Sequence, residues 1–173
     1  AYDKGSIFLS QLEYVIGKEN FDRALKKYFN DWAFKHPKPN DFIRSAEKVS
    51  GLELDWYLLD WAQSTMTIDY SVNSLYGIDN KTRVVLKRIG QMGMPIDLRI
   101  ELTSGETLDY NIPMTKMRGS KPVGSSTLLK SWSWAKPYYE MWLDVNSKNI
   151  SKITIDPKNE MADVNRKNNY LVF

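Results

Sequence analysis

Apolar residues recur at spacings of three and four over the first third of the chain, which is the period of an amphipathic helix. The pattern predicts a first helix over residues 4–16, and Gly17 follows it where a left-handed helix stop is expected. A second helix is predicted to begin after Asn20, a residue type that is favoured at an N-cap. Its predicted apolar stripe comprises Phe21, Ala24, Leu25, Tyr28, Phe29 and Trp32.

Two further helices are predicted before the pattern changes. The prolines of residues 34–39 prevent a helix from continuing there, because each proline disfavours helical geometry in the residue before it. Asn40 or Asp41 is then expected to cap a third helix, which Gly51 ends, and a fourth covers about residues 55–63. The four helices predict a compact helical cluster.

After Thr65 the hydrophobic period shortens to two, which is typical of strands. The clearest hairpin joins residues 96–102 to residues 108–112 across Thr103-Ser104-Gly105. A two-residue loop would put the two apolar sets on opposite faces of the hairpin. The sequence therefore predicts a three-residue loop with Gly105 in a left-handed conformation.

The remaining pattern predicts the fold class. Further strands are expected over residues 138–145 and 152–155, and residues 115–130 are expected to form a long mobile loop. About seven short strands without intervening helices predict a β-sandwich. The whole chain is therefore predicted to be α+β, with a helical domain over residues 1–65 and an antiparallel β-sandwich domain over residues 66–173.

Composition narrows the classes of function. The 173 residues contain no Cys and one His, so they provide neither a disulfide framework nor a zinc site built from Cys and His. The formal net charge of +3 comes from scattered basic residues, which gives no reason to expect a nucleic-acid partner. The longest apolar stretches fall far short of the roughly 20 residues that span a bilayer. No membrane span is therefore predicted.

No catalytic constellation is complete in the sequence. His36 lies beside Pro37 in a connecting loop without a nucleophile motif nearby, so a structural role is the favoured interpretation. The other candidate feature is a group of aromatic residues in the β half: Trp132, Trp134, Tyr138, Tyr139 and Trp142. Core packing is the favoured interpretation of this group. The alternative is an exposed platform in a non-catalytic module that binds carbohydrate or protein.

One stretch of motifs nevertheless resembles a known family. The motifs are Tyr2-Asp3-Lys4-Gly5, Ile16-Gly17, Phe34-Lys35-His36-Pro37, Asp41-Phe42, Ser50-Gly51, Asp55-Trp56 and Trp61. Their order and spacing closely resemble the aminopeptidase N family of zinc metallopeptidases, the gluzincins. The resemblance covers about residues 1–70 and implies the C-terminal part of a thermolysin-like catalytic domain. A weaker resemblance implies that the β half is the β-sandwich that follows this domain.

The resemblance implies a role for Tyr2. In the family, the tyrosine of the Y-x-K-G motif donates a hydrogen bond from its phenol to the oxyanion of the tetrahedral intermediate. The H-E-x-x-H motif and the acidic third zinc ligand of the family are absent from this sequence. The resemblance therefore implies a zinc aminopeptidase as the parent protein, and a fragment that alone binds no zinc and cleaves nothing.

The resemblance also bears on partners and location. The parent is expected to act on peptide substrates through a catalytic lobe that this sequence lacks. The helical half would pack against that lobe, so its apolar face is expected to be exposed here and available for self-association. The sequence leaves the compartment open, with a periplasmic or secreted location favoured.

Overall fold

The chain begins with four helices. The computed structural model describes residues 2–173, with the side chain of Tyr2 outside the described part. The helices are α1 (Tyr2–Ile16), α2 (Lys18–Trp32), α3 (Pro39–Ser50) and α4 (Asp55–Gln63). All four were predicted from the 3.6-residue period, and α4 has the predicted bounds.

The helix ends differ from the prediction at two points. Asn20 does not cap α2: Gly17 is the N-cap, with φ 84°, and Asn20 lies inside the helix, where its side chain donates to the carbonyl oxygen of Ile16. Lys38, rather than Asn40 or Asp41, is the N-cap of α3. The Asp41 carboxylate still satisfies this end of the helix, because it accepts a hydrogen bond of 2.7 Å from the Lys38 backbone N–H. Gly51 ends α3 in a left-handed conformation, as predicted.

Eight described strands form two sheets. A three-stranded antiparallel sheet has the order β1-β2-β6, and a five-stranded sheet has the order β5-β4-β3-β7-β8. Within the second sheet, β5 pairs with β4 in parallel and the other pairs are antiparallel. The strands are β1 (Tyr70–Ile78), β2 (Lys81–Arg88), β3 (Ile96–Leu102), β4 (Thr107–Ile112), β5 (Thr127–Leu128), β6 (Tyr138–Leu143), β7 (Ile150–Ile155) and β8 (Tyr170–Val172).

The β3–β4 hairpin has the predicted register. Leu98 lies opposite Tyr110 and Ile100 lies opposite Leu108, so both apolar sets face the same side. Gly105 has φ 88°, and its N–H donates to the carbonyl oxygen of Leu102. The left-handed position in the loop is therefore occupied by the residue that adopts it at least cost.

The segment over residues 115–130, predicted to be a long mobile loop, includes two short regular elements. It contains a short 3-10 turn, Thr115–Met117, and the strand β5. Met117 is fully buried, and the Met117 carbonyl oxygen accepts a hydrogen bond from the Glu53 N–H. Met117 therefore anchors the beginning of this segment, and the mobility of the remainder stays a prediction.

A single hydrophobic cluster connects the helices and the sheets. It includes Leu12 and Tyr57 from the helices, Leu86 from the three-stranded sheet and Ile100 from the five-stranded sheet. The α+β fold class is confirmed. The division into domains over residues 1–65 and 66–173 stays a prediction; α4 ends at Gln63 and β1 begins at Tyr70.

Part of the helical surface is apolar and exposed. Phe21 and Ala24 of the predicted α2 stripe are buried, whereas Leu25 and Phe29 of the same stripe are exposed. Phe29 exposes 69% of its surface, which is unusual for a large aromatic residue in a predicted core position. None of the helices in the described range has both the length and the apolar character of a membrane span.

Candidate functional site

The predicted catalytic residue, Tyr2, belongs to α1. Its side chain lies outside the described residues, so the oxyanion role of its phenol stays a prediction. The structure does describe the helix that carries Tyr2 and the contacts that hold that helix. These contacts determine how rigidly the backbone at Tyr2 is held relative to the rest of the chain.

Gln11 fixes the middle of α1 to the β half. Only 2% of its surface is exposed, and both ends of its amide are hydrogen-bonded to backbone. Nε2 donates to the carbonyl oxygen of Glu160 at 2.8 Å, and Oε1 accepts from the N–H of Ala162 at 2.9 Å. An amide that forms both bonds in a buried setting constrains the position of the helix, because losing either bond leaves a buried polar group unpaired.

Tyr14 holds the C-terminal end of α1. Its hydroxyl donates to the carbonyl oxygen of Pro95 at 3.1 Å and accepts from the N–H of Asp97 at 3.2 Å, at the beginning of β3. Burial, followed by the nearby charge of Asp97, raises the pKa of Tyr14 well above the ordinary tyrosine value. The phenol therefore remains protonated at neutral pH and keeps its donor.

Lys121 adds a charged contact at the same end of α1. Its ammonium donates to the Asp97 carboxylate at 2.6 Å and to the Tyr14 carbonyl oxygen at 3.1 Å, and it lies 4.1 Å from the centroid of the Tyr14 ring. Asn111 donates to the other carboxylate oxygen of Asp97 at 2.7 Å. The Lys121 side chain is only 12% exposed, so removing the Asp97 carboxylate would leave a largely buried ammonium without its charged partner.

A cleft of about 470 Å³ lies between the α1–α2 turn and the five-stranded sheet. Its walls include Glu13, Lys18, Asp97, Arg99, Asp109 and Lys121. Several of these charges are already paired: Arg99 forms a two-bond contact with Asp109 at 2.7 and 2.9 Å, and Lys121 pairs with Asp97. Because the paired charges largely offset one another, we assign no ligand to this cleft.

The aromatic group of the β half is divided between core and surface. Trp132 is buried, with its ring 5.4 Å from that of Tyr70 and 5.3 Å from that of Tyr139. Trp134 is 53% exposed. Two residues that are two positions apart in a strand would lie on the same face. Trp132 and Trp134 do not, because Trp132 forms only an isolated bridge with Met114 and the chain then turns.

Two rings of this group do share an exposed sheet face. Tyr138 and Trp142 lie on the outer side of β6, while Met141 between them is buried. Arg83 of β2 lies opposite Trp142, and its guanidinium carbon is 4.8 Å from the centroid of the Tyr76 ring. The outer face of the three-stranded sheet therefore combines aromatic rings with a cation.

The residues that the structure describes do not fit a catalytic zinc ion. No group of three or more His, Asp or Glu side chains among them has a geometry that could hold a metal. His36 is exposed in the loop between α2 and α3. We therefore derive no catalytic step of this chain through zinc.

Sequence comparison identifies the helical part. Residues 1–61 match the model of the peptidase family M1 domain. The helical part of this chain is therefore similar to that domain. The chain is also 32% identical to human glutamyl aminopeptidase over 83 residues, which are 48% of this chain and 8% of that protein.

The likeness to family M1 proteins extends beyond the helices. The probable aminopeptidase 1 of Saccharolobus solfataricus is 26% identical over 115 residues, which cover 66% of this chain and 13% of the relative. An alignment of that length includes part of the β half. The chain spans about a tenth of the length of these family M1 relatives, since it covers 8% and 13% of them.

A solved structure shows the same fold. The crystal structure of Legionella pneumophila aminopeptidase A in complex with aspartic acid aligns with a TM-score of 0.54 at 17% identity. The alignment covers 88% of this chain and 16% of that one. At this level of identity the likeness shows a shared fold over most of this chain.

Gln11 and Lys121 were not predicted from the sequence. A signal for Gln11 was present: it lies three residues after Phe8 and four before Val15, so a polar amide occupies the apolar face of α1. A buried polar group on such a face needs a hydrogen-bond partner. No comparable signal existed for Lys121, because its partner Asp97 lies on a different element.

Proposed function

We propose that this chain is part of a zinc aminopeptidase that hydrolyses N-terminal peptide bonds, to which it contributes Tyr2 and an accessory β-sandwich. The match of residues 1–61 to the peptidase family M1 domain carries this proposal. The named aminopeptidases among the relatives support it further. The zinc ligands and most of the peptide-binding site would then lie outside this chain, and the chain alone would be inactive.

In the proposed mechanism, the Tyr2 phenol donates a hydrogen bond to the oxyanion that forms when water adds to the scissile carbonyl. A neutral donor aimed at developing negative charge stabilises the transition state more than the ground state. Removal of one such donor typically lowers kcat by about 10²- to 10³-fold. The helix that carries Tyr2 is held by Gln11, Tyr14 and Lys121, which supports a fixed position for the donor.

The test compares the full-length protein with its Tyr2→Phe variant on an aminoacyl nitroanilide. We expect kcat to fall by about 10²-fold or more while KM changes little, because the lost bond forms only in the transition state. Tyr76→Phe is the matched control, since Tyr76 is exposed on β1, and it should keep normal turnover. Normal turnover of the Tyr2→Phe variant would refute the role of Tyr2.

The exposed rings of β6 favour a second candidate function. Tyr138 and Trp142 expose 46% and 53% of their surfaces on one side of the strand. Such rings can stack on carbohydrate, or pack against a protein partner, at little entropic cost. Under this alternative, an immobilised polysaccharide would retain the chain and Trp142→Ala would abolish retention. Phe29→Ala on the helical surface is the control, and equal retention of both variants would contradict the alternative.

A further inference from the structure

We infer that Gln11 is a positioning residue for Tyr2, an inference that rests on the proposed function. Gln11 is the side chain of α1 that bonds to residues 160–162 with both a donor and an acceptor. The two bonds join positions 149 and 151 residues apart in the chain. They fix the helix along its axis as well as against the sheet, because the donor and the acceptor have separate partners.

The segment that receives Gln11 is itself held in place. Asp156 accepts hydrogen bonds from the N–H groups of Glu160 and Met161 at 2.9 and 2.8 Å. Arg166 donates to the carbonyl oxygen of Met161 at 2.9 Å, and Met161 is fully buried. Gln11 is therefore bonded to a segment that is itself fixed by hydrogen bonds and burial, unlike an exposed loop.

A change in the angle of α1 at Gln11 would displace the N-terminal end of the helix. α1 runs without interruption from Tyr2 to Ile16, so Tyr2 and Gln11 are about 13.5 Å apart along the axis. A tilt of about 5° around Gln11 would move the backbone at Tyr2 by about 1 Å over that length. A displacement of about 1 Å at a reacting group can lower the rate by about 10²-fold.

Other contacts hold α1 on either side of Gln11. The Tyr57 hydroxyl donates to the carbonyl oxygen of Phe8 at 2.6 Å, which ties the N-terminal half of α1 to α4. Tyr14 and Lys121 hold the C-terminal end. Gln11 lies between these two sets of contacts and connects α1 to the segment that follows β7, so Gln11 and Tyr14 together hold the angle of the helix relative to the β half.

The test is a double-mutant cycle in the full-length protein with Gln11→Met and Tyr2→Phe. Met keeps the length and volume of the side chain and removes both hydrogen bonds. We expect Gln11→Met alone to lower kcat by about 10-fold or more, with KM within about twofold of the unmodified protein. In the Tyr2→Phe background the same change should lower kcat by less than about twofold, because the donor that Gln11 positions is already absent.

Two further variants complete the design. Gln11→Glu keeps the acceptor for the Ala162 N–H and loses the donor to the Glu160 carbonyl oxygen, so it should also lower kcat relative to the unmodified protein. Ser10→Ala is the control, since Ser10 is exposed and bonds only within α1, to the Ile7 carbonyl oxygen, among the described contacts. It should leave kcat unchanged. Kinetics are measured where circular dichroism shows that each variant is folded.

The possible outcomes separate the two proposals. If Tyr2→Phe leaves kcat unchanged, the proposed function of Tyr2 fails. If Tyr2→Phe lowers kcat but Gln11→Met has equal effects in both backgrounds, only the positioning role of Gln11 is overturned. Variants at Gln11 that unfold, or that fold and keep normal kcat, would assign this residue to stability alone and would also overturn the inference.

Discussion

Tyr70 offers a sharp test of the packing between β1 and the segment before β3. Its hydroxyl donates to the carbonyl oxygen of Met94 at 3.1 Å and accepts from the Met94 N–H at 2.8 Å. Only 2% of Tyr70 is exposed, so Tyr70→Phe would leave both backbone groups without their partner in a buried setting. An unsatisfied buried group costs about 1 to 3 kcal/mol, and we expect a loss of that size in the free energy of unfolding.

The pH dependence of this loss can be worked out from the pKa of Tyr70. Burial raises it to about 12, whereas an unfolded tyrosine titrates near its ordinary value of about 10. Because the folded pKa is the higher one, the stabilisation is complete below about pH 10 and is lost as the pH rises towards about 12. At pH 11 the folded chain should have lost roughly 1 kcal/mol through this group.

The assay is urea unfolding of the chain and of Tyr70→Phe between pH 7 and pH 11. The difference in the free energy of unfolding should be about 1 to 3 kcal/mol at pH 7, and roughly 1 kcal/mol smaller at pH 11. Tyr76→Phe, on the exposed part of β1, is the control and should stay within about 0.5 kcal/mol of the unmodified chain. A difference that stays constant up to pH 11 would refute the reasoning.

Three other changes test the turn before β3, the helix α1 and the β3–β4 pair. At Gly90 a Cβ atom would overlap the Thr67 carbonyl oxygen and lie 2.6 Å from the Asp69 nitrogen, so thermal denaturation of Gly90→Ala should show a large loss of stability. Gly5→Ala, in an open position of α1, should instead gain about 0.5 to 1 kcal/mol. The hydrogen bond from Arg99 lowers the pKa of Asp109 in the folded chain. The pair therefore stabilises the chain at pH values above the unfolded pKa of about 3.9, and this stabilisation is lost as the pH falls below that value. Urea unfolding of Asp109→Asn should therefore show a loss of about 0.2 to 1 kcal/mol at pH 7 and none near pH 2, and an equal loss at both would contradict the assignment.

Local pattern was sufficient for much of the fold. The β3–β4 register follows from the alternation of apolar positions alone, because Ile100 and Leu108 can share a face only with a three-residue loop. The helices of the first third followed from their period in the same way. β8 was not predicted, since its three residues, Tyr170–Val172, are too few to show alternation.

The remaining features depend on contacts between distant residues. Phe29 has the spacing of a core residue, yet it is exposed because the described elements do not cover that side of α2. Trp132 is buried and Trp134 is exposed because the chain turns between them. The two-residue alternation of a strand does not reveal such a turn. At the candidate site, the resemblance indicated Tyr2, whereas Gln11 became evident only from its two bonds to residues 160–162.

The bonds between Gln11 and residues 160–162 also affect the order of folding. During synthesis α1 emerges before the β half, and its buried amide has no partner until the segment 149 residues later has followed. Contacts across such sequence separations are slow to form, because a long stretch of chain must first be closed into a loop. Leu12, Val15 and Ile16 of α1 are fully buried in the folded chain. The Gln11 amide of this helix therefore stays without its two backbone partners until nearly the whole β half has been made.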